Sequence, residues 1–160
     1  MKKLMTAVAI LILCQGLAMG QTSDERKGWG YLFGGVGGRS GAGSDVVINV
    51  GGGGEGILGK GFGVGGEVGY LTNTRDTGSG VGLASVNLSY HFNRAQKLVP
   101  FVSGGGSVAF RSGATGGGNI GGGVHYWMSD NVGLRLEVRD FIFSSDSPNN
   151  VLFRIGLSFR

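Results

Sequence analysis

Residues 131–141 read NVGLRLEVRDF. Val132, Leu134, Leu136 and Val138 take one parity, and Gly133, Arg135, Glu137 and Arg139 take the other. Strict alternation is the signature of a strand with two unlike faces, because successive side chains point to opposite sides of a sheet. A helix of 3.6 residues per turn would spread both sets around its axis. The segment Asn150–Phe159 repeats the pattern, with Val151, Phe153, Ile155, Leu157 and Phe159 against Arg154, Gly156 and Ser158.

Working back along the chain, six more segments of this kind can be marked. They are residues 28–37, 45–57, 61–71, 82–92, 99–110 and 119–127. Val46, Ile48 and Val50 oppose Asn49, Gly51, Gly53 and Glu55. Phe62, Val64, Val68 and Tyr70 oppose Gly63, Gly65, Glu67 and Gly69. Ala84, Val86, Leu88, Tyr90 and Phe92 oppose Ser85, Asn87, Ser89 and His91. Residues 99–110 leave their parity open; we set Val102, Val108 and Phe110 outward and Ser103 and Ser107 inward. In residues 119–127, Ile120, Val124 and Tyr126 are expected outward and His125 inward. In residues 28–37, Trp29, Tyr31 and Phe33 are expected outward, where their rings would cover the bare backbone at Gly52 and Gly54.

Composition narrows what such a sheet can be. The chain has 160 residues, room for one domain. Of these 36 are glycine and only 2 proline, without the three-residue period of a collagen. Charged residues make up 15%, apolar residues 41%, and 15 residues are aromatic, so a disordered low-complexity chain is excluded. So much glycine weakens isolated strands, but on an inward face it allows a tight closed wall. The face carrying the charges is otherwise Gly, Ser and Asn, too sparse in charge for a water-exposed surface. We therefore place the apolar face in lipid, the reverse of a soluble lipocalin-like barrel.

The spacing of the segments agrees. Connections at residues 38–44, 72–81, 111–118 and 142–149 are longer and rich in Gly, Ser, Asp and Asn. Those at 58–60, 93–98 and 128–130 are shorter, and long loops at one end with short turns at the other is the outer-membrane pattern. Aromatics then sort toward the two rims: Trp29, Phe62, Tyr90, Phe92, Tyr126 and Phe159 at the periplasmic one, Tyr70, Phe110, Phe141 and Phe153 at the outer one.

Residues 1–20 supply the address. Lys2 and Lys3 precede an apolar stretch from Leu4 to Leu13, and Ala18-Met19-Gly20 puts small residues where a signal peptidase reads. Cleavage after Gly20 makes Gln21 the first residue of the mature chain. Cys14 leaves with the leader, so no disulfide is expected. The formal charge of +4 falls to +2 once Lys2 and Lys3 are removed, too little for a nucleic-acid partner. The expected organisation is a signal peptide at 1–20, a short polar segment at 21–27 and a barrel at 28–160.

On these residues the chain resembles the small outer-membrane β-barrels of the OmpA/OmpX-like, porin-like type. VLFRIGLSFR, residues 151–160, is similar to the C-terminal signal read by barrel-assembly machinery: Arg154, Gly156, then alternating hydrophobics to Phe159. Arg160 follows where most such chains end on the aromatic. NVGLRLEVRDF resembles a late strand of these barrels. The resemblance implies an eight-stranded antiparallel up-and-down transmembrane barrel, all-β, in a Gram-negative outer membrane, with its lipid and the assembly machinery as partners and a monomeric state.

Three acids and three arginines are expected to point into the lumen: Glu55, Glu67 and Glu137 against Arg135, Arg139 and Arg154. They balance, and buried charges persist when paired. A network in which Arg135 or Arg139 reaches Glu67 or Glu55 is the expected arrangement. Catalytic, cofactor and metal sites are not expected. His91 and His125 lack a third ligand, Ser89 and His91 with a distant Glu137 do not single out a nucleophile, and Gly51–Gly54 lacks the Lys-Ser/Thr of a phosphate loop. The expected role is structural, maintaining the envelope, with a narrow solute pore or a surface-adhesion protein as the alternatives.

Overall fold

The computed structural model describes residues 28–39, 46–74, 76–143 and 149–160. The expected leader, its cleavage residues Ala18, Gly20 and Gln21, and the 21–27 segment lie outside these residues. Eight strands follow in chain order: β1 Gly28–Arg39, β2 Val46–Gly59, β3 Phe62–Asn73, β4 Asp76–His91, β5 Leu98–Phe110, β6 Ala114–Trp127, β7 Val132–Phe143 and β8 Asn150–Phe159. Each pairs antiparallel with the next, and β1 pairs with β8 from Gly30↔Phe159 to Arg39↔Asn150, closing the barrel.

The pairing fixes the barrel's geometry. Stepping across the ladders from Gly28, one passes Gly56, Val64, Leu88, Gly104, Ile120, Asp140 and Val151, and returns to β1 at Gly38. That stagger of ten residues over eight strands tilts the strands by roughly 40° for ordinary rise and spacing. Ten tilted residues then rise about 25 Å, the height of an outer-membrane apolar band.

One expectation about the faces is overturned. Trp29, Tyr31 and Phe33 point into the lumen and are buried, while Leu32 is exposed. Register is the reason. Trp29 pairs with Glu55, Tyr31 with Gly53 and Phe33 with Gly51, and directly paired residues share a face. The rings lie over Gly51 and Gly53, one residue away from the Gly52 and Gly54 expected: an added Cβ would meet the Phe33 Cζ at 2.7 Å and the Tyr31 Cζ at 2.9 Å. Phe141, expected toward the outer rim, also turns inward. The open parity of β5 resolves as set above, with Val102 and Phe110 exposed and Ser103 and Ser107 buried.

Two of the connections read as long are shorter. β4 begins at Asp76 and β6 at Ala114, so most of 72–81 and 111–118 is strand. The TGSG and ATGGG runs look like loop by composition, yet a hairpin ladder needs only backbone N–H and C=O groups, which glycine supplies. At the opposite end β2 and β3 are joined through Gly59, Lys60 and Gly61, with φ of 145°, 49° and 90°. Such values favour glycine on both sides of the Lys60 tip.

Candidate functional site: the barrel interior

The lumen is filled in three layers. At the turn end, Trp29, Tyr31, Phe33, Val99 and Trp127 form an apolar cluster against which Ile57 packs. At the loop end, Val47, Leu71, Leu83, Phe141 and Leu152 form another, joined by Val81, Ala109 and Phe143. The charges lie between.

Glu67, from β3, accepts hydrogen bonds from Arg139 Nη1 at 2.7 Å, from Arg154 Nη1 and Nη2 at 3.1 Å each, and from the Tyr31 hydroxyl at 3.1 Å. Glu137 accepts from Arg139 Nη2 at 2.6 Å and Nε at 3.0 Å, and from Arg135 Nε at 3.4 Å. Glu55 accepts from Arg135 Nη1 at 3.3 Å and from the Ser89 hydroxyl, and bonds His91 Nε2 at 2.7 Å. Arg139, Arg154 and Arg135 thus bridge three carboxylates drawn from β2, β3 and β7. Arg139 is without exposed side-chain surface, and also donates to Ser103 Oγ at 3.3 Å.

Aromatic rings complete the packing. The Arg154 guanidinium lies 3.6 Å from the centre of the Phe33 ring, and Arg135 lies 4.1 Å from Phe101 and 4.8 Å from Tyr31. Planar guanidinium suits this stacking while its edge binds carboxylate. Beside the ion network the Asn87 and Asn119 amides bond at 2.8 Å, and Ser85 and Ser107 at 2.8 Å. A recess at the turn end, lined by Trp29, His91, Arg94, Val99, His125 and Trp127, measures about 10 Å³, room for about one water.

Solved structures share this arrangement of strands. The N-terminal β-barrel domain of Pseudomonas aeruginosa OprF matches with a TM-score of 0.64 at 17% identity, covering 86% of this chain and 100% of the other. Neisserial surface protein A matches with a TM-score of 0.65 at 13% identity over 82% and 96%. The Yersinia pestis attachment invasion locus protein Ail matches with a TM-score of 0.54 at 10% identity over 85% and 99%.

The chain has the fold of a small outer-membrane β-barrel.

No family model matches the sequence, and no curated protein matches it. The likeness to the solved structures is therefore one of fold.

Within this outer-membrane barrel fold, all six charged residues marked in the sequence meet in the middle layer. Of the residues marked at the C-terminus, Arg154, Gly156 and Ser158 face the lumen and Phe159 faces out, while Arg160 follows β8 and stacks its guanidinium 5.5 Å from Trp127. Ser89 and His91 both bind Glu55, and Glu137 serves the arginines instead. His91 therefore does not stand between Ser89 and an acid, as a nucleophile's base must. Among the described residues no three metal-ligating side chains cluster. Sequence reasoning missed Tyr31, Phe33 and Phe101 as members of the network. The signal was present in Gly51, Gly53, Gly69 and Gly156, whose missing side chains leave room for large neighbours on the same face.

Proposed function

We propose that this protein is a closed, non-conducting barrel of the bacterial outer membrane that serves the mechanical integrity of the envelope and performs no catalysis. The layered filling of the lumen carries this reading. A conducting barrel needs a continuous water-filled path, whereas here Arg139, His125, Leu152, Phe141 and Phe101 are each 2% exposed or less. Opening a path would break paired charges in a medium where an unpaired charge is costly. On this reading the leader directs export and is removed after Gly20. The C-terminal strand is read by the assembly machinery, and the folded monomer sits with its turn end in the periplasm.

Conductance of the purified, folded protein across planar bilayers tests the closed state. The expected record has no unitary steps above leakage. Reproducible steps would establish the narrow-pore alternative. Deletion in the native host tests the envelope role: uptake of a hydrophobic dye is expected to rise and to be restored by the intact chain.

A further inference from the structure

We propose that the turn-end rim spanning β3, β4 and β5 binds the phosphate headgroup of an anionic phospholipid in the adjoining leaflet. This rests on the reading of the chain as an outer-membrane barrel with that end toward the periplasm. Three outward rings lie side by side there. Phe62 and Tyr90 are cross-strand partners with ring centres 4.9 Å apart, and Tyr90 meets Phe92 edge-on at 4.8 Å.

Cations flank this cluster on its water side. Lys60 stands two residues before Phe62, at the tip of the β2–β3 turn, and is exposed. Lys97, in the connection that leads from Phe92 to β5, is exposed as well. Among the described residues of this end the one acid is Asp130, in the β6–β7 turn, where Arg160 Nη1 donates to its carbonyl oxygen at 3.2 Å.

Rings of this kind settle at the level where acyl chains meet headgroups. A phosphate at that depth lies within reach of the lysine ammonium donors just beyond them. The attraction grows with the net negative charge of the lipid, so an anionic headgroup is favoured over a zwitterionic one.

The folded wild-type chain in nonionic detergent is titrated with phosphatidylglycerol or with phosphatidylethanolamine of the same acyl chains, and bound lipids are counted by native mass spectrometry. Retention of phosphatidylglycerol is expected to exceed that of phosphatidylethanolamine by about fivefold or more at low salt. The double variant Lys60→Gln, Lys97→Gln is expected to lose the preference, and the control pair Arg111→Gln, Arg160→Gln to keep it. A heat-dependent gel shift on each sample reports that the barrel is folded. Should the double variant not fold, the salt series on the wild type decides, since the preference must collapse as salt is raised. Equal retention of the two lipids, or a preference that survives the double variant or high salt, overturns the site. A wild-type chain lacking the gel shift overturns the barrel reading, and the site with it.

Discussion

The glycines divide by the face they occupy. An added Cβ at Gly123 would overlap the Leu136 carbonyl, and one at Gly105 the Val86 carbonyl, whereas Gly34, Gly106 and Gly116 have nothing within 4 Å. The first two face the concave lumen of a tightly curved wall, where neighbouring strand backbones converge; the other three face outward. Gly123→Ala is therefore expected to lower stability by about 2 kcal/mol or more, and Gly106→Ala to change it by under about 0.5 kcal/mol. Urea unfolding in lipid vesicles measures both, and equal effects would contradict the assignment of faces. Charge follows the same logic of confinement. Glu67→Gln removes the negative charge shared by Arg139 and Arg154 and replaces one accepting oxygen with a donor, at an expected cost of about 3–5 kcal/mol for leaving buried cations uncompensated. The double variant Glu67→Met, Arg154→Met should cost less than the sum of its single changes, because each removes the other's uncompensated charge. Additive costs would mean that the pair does not interact.

At the scale of the element, β1 is the strand that shapes the interior. It carries three large rings inward on one parity and glycine, leucine and valine outward on the other. Its neighbours β2 and β8 answer with Gly51, Gly53 and Gly156. Phe33 is the pivot, covering Gly51 and supporting Arg154 from below. Phe33→Ala is expected to cost about 3–5 kcal/mol, combining a cavity with the loss of the ring under the guanidinium. Phe33→Leu should recover most of the packing but not the stacking. The midpoint of heat-dependent gel mobility ranks the three chains, and an unaltered midpoint in Phe33→Ala would place the ring outside the lumen.

For the whole molecule, the outer surface is the unusual one. Leu32, Val86, Leu88, Ile120, Phe153 and Ile155 are all more than half exposed on the strands that form the wall. So large a continuous apolar surface does not persist in water. Cysteines introduced at Val86 and Leu88 are therefore expected to resist a water-soluble maleimide in intact vesicles and to react once the chain is unfolded. Rapid labelling in intact vesicles would mean that this face meets water, and the barrel would be inverted in its solvent.

The alternation of β7 and β8, the inward placement of six charges and the number of strands were legible in the sequence, because a period of two survives any arrangement of neighbours. What β1 does was not. Its two parities are ring and glycine-rich aliphatic, both plausible against lipid, and only the pairing Trp29↔Glu55 forces the rings inside. The extents of β4 and β6 were hidden too, since backbone pairing leaves no mark on a Gly-Ser-Thr run. The partners within the ion network needed closure of the barrel: Glu67 and Arg154 are 87 residues apart, and β3 and β8 meet only across the lumen. Local alternation determined which side chains share the interior; the stagger and closure of the wall decided which of them touch.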